Sequence, residues 1–356
     1  MAENSAKRSR ILVMIAALIS LIALSVVAFT VPIPYGSLRP GPAFNTLGEF
    51  DKSPMIEFGS EVNTYPTSGS LYFTTVSVTR VDANMSLMEA IAIYLEPNSR
   101  LVPIEVLYPE SQTQEQADEM GAAQLDQSKS DAEVAGVRAA GYEVEEWAEV
   151  YNVLEDSPAF GIIQAGDRVT KINNVPTKTP NDVVTLIRQL TVGEPVYVTT
   201  MRGGVEQTNT FKTYATKEEP DIPRVGIGLM SGYEVPIEVD NNVGHTIGGP
   251  SAGLMFALAI YDKLTPGALT GGKAIAGTGT IASDGTVGPV GGLEQKMAGA
   301  AAQGAKIFLS PAQNCAEALQ ADNDDLILVK VTNLSDAIES IKAFASGKTT
   351  GLPSCE

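Results

Sequence analysis

The chain has one histidine, His245, and two cysteines, Cys315 and Cys355, among 356 residues. With a single imidazole, any serine triad must pass through His245, and there are too few His and Cys ligands for a structural or catalytic zinc. Positive charge is scarce as well. Lys and Arg total 24 against 42 Asp and Glu, a net charge of -18, and phosphate binding needs a basic face, so nucleic acid is excluded as a partner. No Lys/Arg cluster follows the apolar N-terminal run, which argues against broad contact with anionic lipid. No cysteine lies near that run either, which excludes a lipoprotein.

What is present is an ordinary globular mixture, 44% hydrophobic and 19% charged, long enough for two or three domains. Residues 1–10 form a short basic tail. Residues 11–31 (ILVMIAALISLIALSVVAFTV) carry no charge over about 21 positions, enough to cross a bilayer as a helix. Lys7, Arg8 and Arg10 precede the run, and Arg39 is the next positive residue. The positive-inside bias therefore places the N-terminus in the cytoplasm and the rest of the chain outside. A cleaved signal peptide is the rival reading, but the apolar run is long for one and no A-x-A site follows. Both cysteines fall on the outer side, where an oxidising compartment permits a Cys315–Cys355 bridge pinning the C-terminal tail; two free thiols are the alternative.

After the apolar run, residues 32–54 are Pro/Gly-rich without helical period and read as a stalk. Ser70–Val81 (SLYFTTVSVTRV) reads as a strand. Ser86 and Glu89 form a capping-box pattern opening a helix over Ser86–Leu95. Glu110–Ala140 reads as a polar, alanine-rich surface helix whose acidic residues are a solvated face.

A separate module spans about 136–218. It runs from Asp156-Ser157-Pro158-Ala159 through Ala165-Gly166-Asp167-Arg168-Val169 and Ile172-Asn173. A helix capped by Thr179 follows, with Pro180 at its first position and Val183, Val184, Ile187 and Leu190 at helical spacing; the strand Val196–Met201 and a Gly203-Gly204 hairpin close it. This order resembles a PDZ domain. The resemblance implies strand addition of a bound peptide and carboxylate capture by backbone N–H groups. The capture loop is expected near Ala140-Gly141-Tyr142, where Glu143, Glu145 and Glu146 crowd a free C-terminus and favour docking or gating instead.

The remaining block alternates strand-like runs (Ala274–Ile281, Ala305–Leu309, Leu326–Val331) with helices (Leu293–Ala302, Ser335–Ala345), an α+β pattern. The strand and helix ahead of the PDZ-like module have no core of their own, so the module is read as an insertion. The expected division is 55–135 and 219–346 for the two parts of one larger domain, and 347–356 for a tail.

Ser251 sits in Gly248-Gly249-Pro250-Ser251-Ala252-Gly253, just ahead of an apolar run. Glycines admit close approach of substrate backbone, and a helix start offers unpaired N–H groups for a developing oxyanion. The plainer reading is a serine that caps the helix. Lys296 falls on a small, apolar helix with Leu293, Met297, Ala300 and Ala301. It either snorkels or is buried as a neutral amine able to take a proton from a nucleophile. His245, six residues ahead of Ser251 and near Asp240, is a third candidate, as an alternative base or a groove-lining residue.

From Gly249-Pro250-Ser251-Ala252-Gly253 through Gly277-Thr278-Gly279 to Gly291-Gly292-Leu293-Glu294-Gln295-Lys296, the chain resembles the proteolytic domain of Lon-type serine proteases, from Asn242 to Cys315 and more weakly to the end. The resemblance implies a dyad in which Ser251 attacks and Lys296 is the general base, with Thr278 orienting the lysine and Gly249 and Pro250 lining the groove. It also implies homo-oligomers, commonly hexameric. Anchor, inserted PDZ domain and this domain together resemble membrane-anchored PDZ-containing Lon-like proteases. The departure from full Lon proteases is the lack of an ATPase module. Gly267-Ala268-Leu269-Thr270-Gly271-Gly272-Lys273 misses a P-loop, since Ala274 stands where a Ser/Thr holds magnesium and no strand precedes. The expectation is thus a serine endopeptidase acting on unfolded, exported or membrane protein segments, without ATP, nucleotide, metal or other cofactor. A non-catalytic membrane-tethered PDZ adaptor and a His245-dependent hydrolase are the competing readings.

Overall fold

The computed structural model describes residues 2–109, 112–244, 246–321 and 326–355. His245 and Glu110 lie outside the described residues. The chain divides into two compact units, Met1–Gly141 with Ile237–Glu356, and Tyr142–Pro236.

Helix α1 runs Ala2–Thr30, and its segment Arg10–Thr30 is long and apolar enough to cross a membrane, a property it shares with signal sequences. Short strand β1 (Pro32–Ile33) follows, then β2 (Tyr35–Asn45), β3 (Ser70–Val78), β4 (Met85–Ser86), helix α2 (Leu87–Tyr94), β5 (Arg100–Pro103), α3 (Ile104–Leu107) and α4 (Gln114–Ala139). Residues 32–54 are therefore not a stalk. β2 lies inside the main sheet, paired antiparallel to β3 on one side and β5 on the other. Its prolines misled the sequence pattern because Pro40 and Pro42 fall at a bulge, where the register shifts between Pro40 and Ala43 and ladder N–H groups are not required. Gly41 is needed there: a Cβ would lie 2.4 Å from the Thr75 hydroxyl.

In the second unit β6 (Glu145–Val153), β7 (Arg168–Ile172), helix α5 (Pro180–Arg188), β8 (Pro195–Arg202), β9 (Val205–Lys212) and β10 (Ile227–Glu234) form an antiparallel sheet ordered β9-β8-β7-β6-β10. Thr179 and Asp182 make a reciprocal cap on α5, which buries Val183 and Ile187 against Ala148, Val150, Val169 and Val198. The carboxylate of Asp167, from the Ala-Gly-Asp turn, takes two bonds of 2.6 Å from Arg202. The unit continues past Glu218, where the sequence pattern ends it, because β10 pairs along the whole of β6.

The chain returns to the first unit with α6 (Gly253–Leu264), β11 (Ala274–Gly277), α7 (Leu293–Ala302), β12 (Ile307–Pro311), α8 (Cys315–Ala318), β13 (Ile327–Val331) and α9 (Leu334–Ala345). The six-stranded sheet is ordered β13-β12-β11-β3-β2-β5, parallel from β13 to β3 and antiparallel beyond. Every residue of α6 from Gly253 to Ile260 is buried, packed by α4, α9 and the sheet. At roughly 1.5–3 kcal/mol per large apolar side chain, Leu254, Met255, Phe256, Leu258 and Ile260 make α6 the centre of the core. α4 is a surface helix on one side only: Glu115, Asp118, Glu119 and Asp126 are exposed as expected, but Leu125, Ser128, Ala132 and Val134–Val137 are buried. Its small residues let α6 approach closely. A Cβ on Gly136 would lie 2.8 Å from Ile260.

Cys315 and Cys355 form a disulfide with Cα atoms 4.9 Å apart. The tail it holds also bonds back to β13, where Lys330 N–H donates to the Pro353 carbonyl at 2.9 Å.

Candidate functional site

The predicted strand Ala274–Ile281 breaks after Gly277, and the break builds the site. β11 ends at Gly277, Thr278 and Gly279 turn away, and a two-residue strand resumes at Thr280. Gly277 and Gly279 each face close neighbours, with a Cβ on Gly277 placed 2.8 Å from Leu309 and 2.9 Å from Met255. The turn drops Thr278, fully buried, between the serine loop and α7.

Ser251 is not a helix cap. The N-cap of α6 is Ala252, with no side-chain cap bond, and Ser251 precedes it in a tight turn. Gly249 holds that turn at φ 88°, a backbone conformation that disfavours a side chain. Two bonds fix the serine main chain: its carbonyl accepts from the Thr278 hydroxyl at 3.0 Å and from Gly279 N–H at 2.9 Å. From α4, Gly121 accepts from Gly249 N–H at 2.9 Å, and the Ser128 hydroxyl donates to the Pro250 carbonyl at 2.9 Å. Gly121, Leu125, Ser128, Ala132 and Gly136 follow one helical stripe, which carries these contacts. Sequence reasoning missed Gly121 and Ser128; the stripe of small residues was the available signal, hidden by the acidic residues around it.

Lys296 does not snorkel. It lies on α7 with 3% of its surface exposed, among Leu293, Met297 and Ala300. Its ammonium donates to the Thr278 hydroxyl at 3.1 Å, so one threonine joins the lysine to the serine loop. Burial lowers the Lys296 pKa from 10.5 to about 7, against the opposing pull of Glu317, because a charged amine loses its hydration there. Glu317 has a second task. It accepts from Leu293 N–H at the start of α7, at 3.2 Å, and from the Asn314 side chain at 3.1 Å. Asn314 in turn both donates to and accepts from the Val290 main chain, clamping the loop that feeds α7. Gly292 leads into the helix at φ 66°, and a Cβ there would lie 2.7 Å from Val76.

Ser251, Lys296, Gly249 and Pro250 line one cleft of about 1070 Å³ with Thr246, Ile247, Phe44 and Leu107. Its wall includes Thr74–Val78 of β3. That stretch lies past Phe73, the last β3 residue paired with β11, so its edge away from β2 faces no strand among the described residues. The neighbours of His245 are thus in the groove, while His245 itself is outside the described residues. Lys273 of the P-loop-like segment has a different setting: its ammonium donates to the Phe344 carbonyl at 2.5 Å and lies over the Phe344 ring.

In the second unit, edge strand β10 and α5 flank a smaller groove of about 180 Å³ lined by Leu154, Val184, Ile187, Arg188, Tyr214, Arg224 and Gly226, among others. The turn 140–142, where carboxylate capture was expected, instead joins α4 to β6 and is not among the lining residues.

Two family models match parts of the chain, one over the second part of the first unit and one from within α4 to the end of β9 in the second. Residues 235–342 match the Lon protease (S16) C-terminal proteolytic domain, and residues 125–213 match the PDZ domain. The chain is 35% identical over 121 residues to a Lon protease of Geobacter metallireducens, covering 33% of this chain and 14% of that protein. A Lon protease of Phenylobacterium zucineum is 35% identical over 95 residues, 26% of this chain and 12% of that one. The chain thus spans about a seventh or less of these relatives. Among solved structures, the PDZ domain of an SdrC-like protein from Listeria innocua is 30% identical over 23% of this chain and 92% of its own, with a TM-score of 0.22. The class these findings define is that of a domain, the proteolytic domain of a serine-type peptidase. More particularly, the chain carries a Lon-type proteolytic domain and a PDZ domain behind an N-terminal helix that fits a membrane anchor.

Proposed function

We propose that the protein is an ATP-independent serine endopeptidase using a Ser251–Lys296 dyad. The observation that carries this reading is the buried lysine: an amine with a pKa of about 7, lining the same cleft as Ser251 and hydrogen-bonded to the threonine that holds the serine loop. In this mechanism the Ser251 hydroxyl attacks the scissile carbonyl and its proton passes to neutral Lys296. Main-chain N–H groups of the turn ahead of α6 stabilise the tetrahedral oxyanion, those of Gly253 and Leu254 being taken by the Pro250 and Gly279 carbonyls. Lys296 then protonates the leaving amine, giving an acyl-enzyme. A water that yields its proton to the same lysine releases the acid.

Several features favour protein substrates. The open edge of Thr74–Val78 suits an extended peptide added as a strand. The groove beside β10 in the PDZ domain suits a second peptide held the same way, with apolar Leu154, Val184 and Ile187 for one side chain. The engagement of Lys273 by Phe344 supports a nucleotide-free enzyme. By the charge asymmetry about α1 the catalytic domain lies outside the cytoplasm on a single-pass anchor. Assembly to a hexamer follows from the Lon-type resemblance.

Labelling by a serine-reactive phosphonate decides the chemistry. Wild-type protein should label with a midpoint near pH 7, and both Ser251→Ala and Lys296→Ala should not label. Labelling that survives Lys296→Ala but is lost in His245→Ala would establish the histidine-dependent reading instead. A wild type that neither labels nor cleaves unfolded protein would leave the adaptor.

A further inference from the structure

We propose that α2 lies in the interface of the bilayer, with Leu87, Met88, Ile91, Tyr94 and Leu95 seated among the lipids, so that the catalytic unit rests on the membrane rather than hanging from it. The proposal rests on the reading that α1 crosses a membrane.

Helix α2 has the sequence LMEAIAIY and is apolar on both sides. Its inner side buries Ala90 and Ile93 against Met85, with Ile33 and Leu101 packed alongside. Its outer side exposes Leu87 at 46%, Ile91 at 44%, Tyr94 at 77% and the following Leu95 at 74%. These recur at i, i+4, i+7 and i+8, a stripe that a water-facing helix fills with polar residues. Glu89 is the one charge on the helix. Such a contiguous apolar face calls for a covering partner.

Continuity with α1 identifies that partner. The apolar stretch Arg10–Thr30 has 21 residues, none buried within the protein, and as a helix it is about 31 Å long against a hydrocarbon thickness of about 30 Å. Thr30 therefore falls at the membrane boundary. Two residues later Pro32 and Ile33 pair with Ser86 and Met85, the residues that lead directly into α2. The first turn of α2 is thereby held at the level where the spanning helix ends, and α1 and α2 touch. A second copy of the chain could cover an apolar stripe equally well, but nothing would then bring the stripe to the end of α1. Tyr35, two residues past β1, and Tyr94, at the end of α2, are exposed, amphipathic rings of the kind enriched at membrane interfaces. With the chain at -18, seating comes from apolar burial rather than from attraction to anionic lipid.

The seat bears on the active site. In the loop after α2 the Asn98 carbonyl accepts from Gln295 on α7 at 3.0 Å, and Arg100, which opens β5, pairs with Glu294 at 3.6 Å. Arg39 pairs with Glu96 at 2.7 Å. The helix bearing Lys296 is thus tied to the loop that leaves α2. Leu38, on the cleft wall, is eight residues beyond Thr30, at most about 27 Å of extended chain. The substrate class this favours is a chain segment emerging close to the membrane surface.

The test uses the full chain in phosphatidylcholine nanodiscs, with single cysteines carrying an environment-sensitive dye at Ala17→Cys, Ile91→Cys, Leu95→Cys and Lys330→Cys. Lys330 is exposed on β13, at the far edge of the sheet from β5. Lipids with brominated acyl chains should quench the dyes at 17, 91 and 95 and leave the one at 330 unaffected. Quenching at 17 with none at 91 and 95 overturns the proposal and leaves the spanning helix standing. No quenching at 17 removes the spanning reading and the proposal with it. Blue-shifted but unquenched emission at 91 and 95 means that protein covers the face, which also overturns it.

Discussion

Replacing Lys296 by methionine should make the protein more stable while abolishing its activity, and the gain should depend on pH in one direction. A fall in pKa from 10.5 in the unfolded chain to about 7 in the fold corresponds to about 5 kcal/mol at 1.36 kcal/mol per unit. Because the folded value lies below the unfolded one, the cost is borne in full below pH 7, where the fold must accept a buried ammonium. Between pH 7 and 10.5 the unfolded chain binds a proton that the folded chain does not, so wild-type stability rises with pH across that window. Above 10.5 the cost is gone. Methionine fills nearly the same volume, carries no charge, and gives up only the bond to Thr278, about 1 kcal/mol. The variant should therefore exceed wild type by several kcal/mol at pH 6 and fall level with it near pH 10. Urea unfolding of the full chain in detergent, followed by amide exchange in α6, reads the difference. An advantage that does not change with pH, or a variant weaker than wild type at pH 6, would refute the claim that the fold holds a desolvated lysine ready as a base.

The other predictions concern the residues around the proposed dyad and the bridge that holds the tail. Thr278→Val removes the hydroxyl linking the lysine to the Ser251 carbonyl; at about 1.5–3 kcal/mol for a bond to a charged group, kcat/KM on an unfolded substrate should fall roughly 10- to 150-fold. Gly253→Ala places a Cβ 2.7 Å from the Ser128 hydroxyl and 2.8 Å from Ile281, so it should lower stability by about 1–3 kcal/mol in urea unfolding and slow acylation by moving the serine loop. Reduction of Cys315–Cys355, which closes a loop across a separation of 40 residues, should cost about 3–4 kcal/mol and expose the tail to limited proteolysis, read by mass spectrometry.

The candidate site was legible where the proposed chemistry asks for a residue type. A serine beside glycines and a lysine on an apolar helix are local patterns, and both residues line the cleft; the break at Thr278 was not local, since Ala274–Ile281 reads as one strand and Thr278 entered only through the Lon-type resemblance. The PDZ module was legible because its helix carries its own cap and apolar period. Residues 32–54 were not legible. A strand normally excludes proline, and β2 admits Pro40 and Pro42 only through a bulge that its long-range partner β3 completes, which no local window contains. α4 was legible as a helix with an exposed acidic face, but its buried side was not. Its sequence has the charge of a surface helix, yet α6 has no polar face, so it demands cover on all sides and takes the small stripe of α4 as one wall.

The same cover supports the proposed dyad, of which Lys296 is buried and Ser251 half-buried. A lone lysine at 3% exposure is a liability of several kcal/mol, and a serine loop with glycines on either side has little stiffness of its own. The protein offsets both from outside the motif. α4 fixes the serine loop through Gly121 and Ser128, and the Asn314–Glu317 pair fixes the loop and first turn that present Lys296. Thr278, itself fully buried, bonds to both the serine loop and Lys296. The supports come from segments more than a hundred residues apart, interrupted by a whole PDZ domain, so neither half of the first unit can assemble the site without the other. Positioning is thus a property of the completed fold, and loss of any one support should show first in the rate of acylation and only then in unfolding.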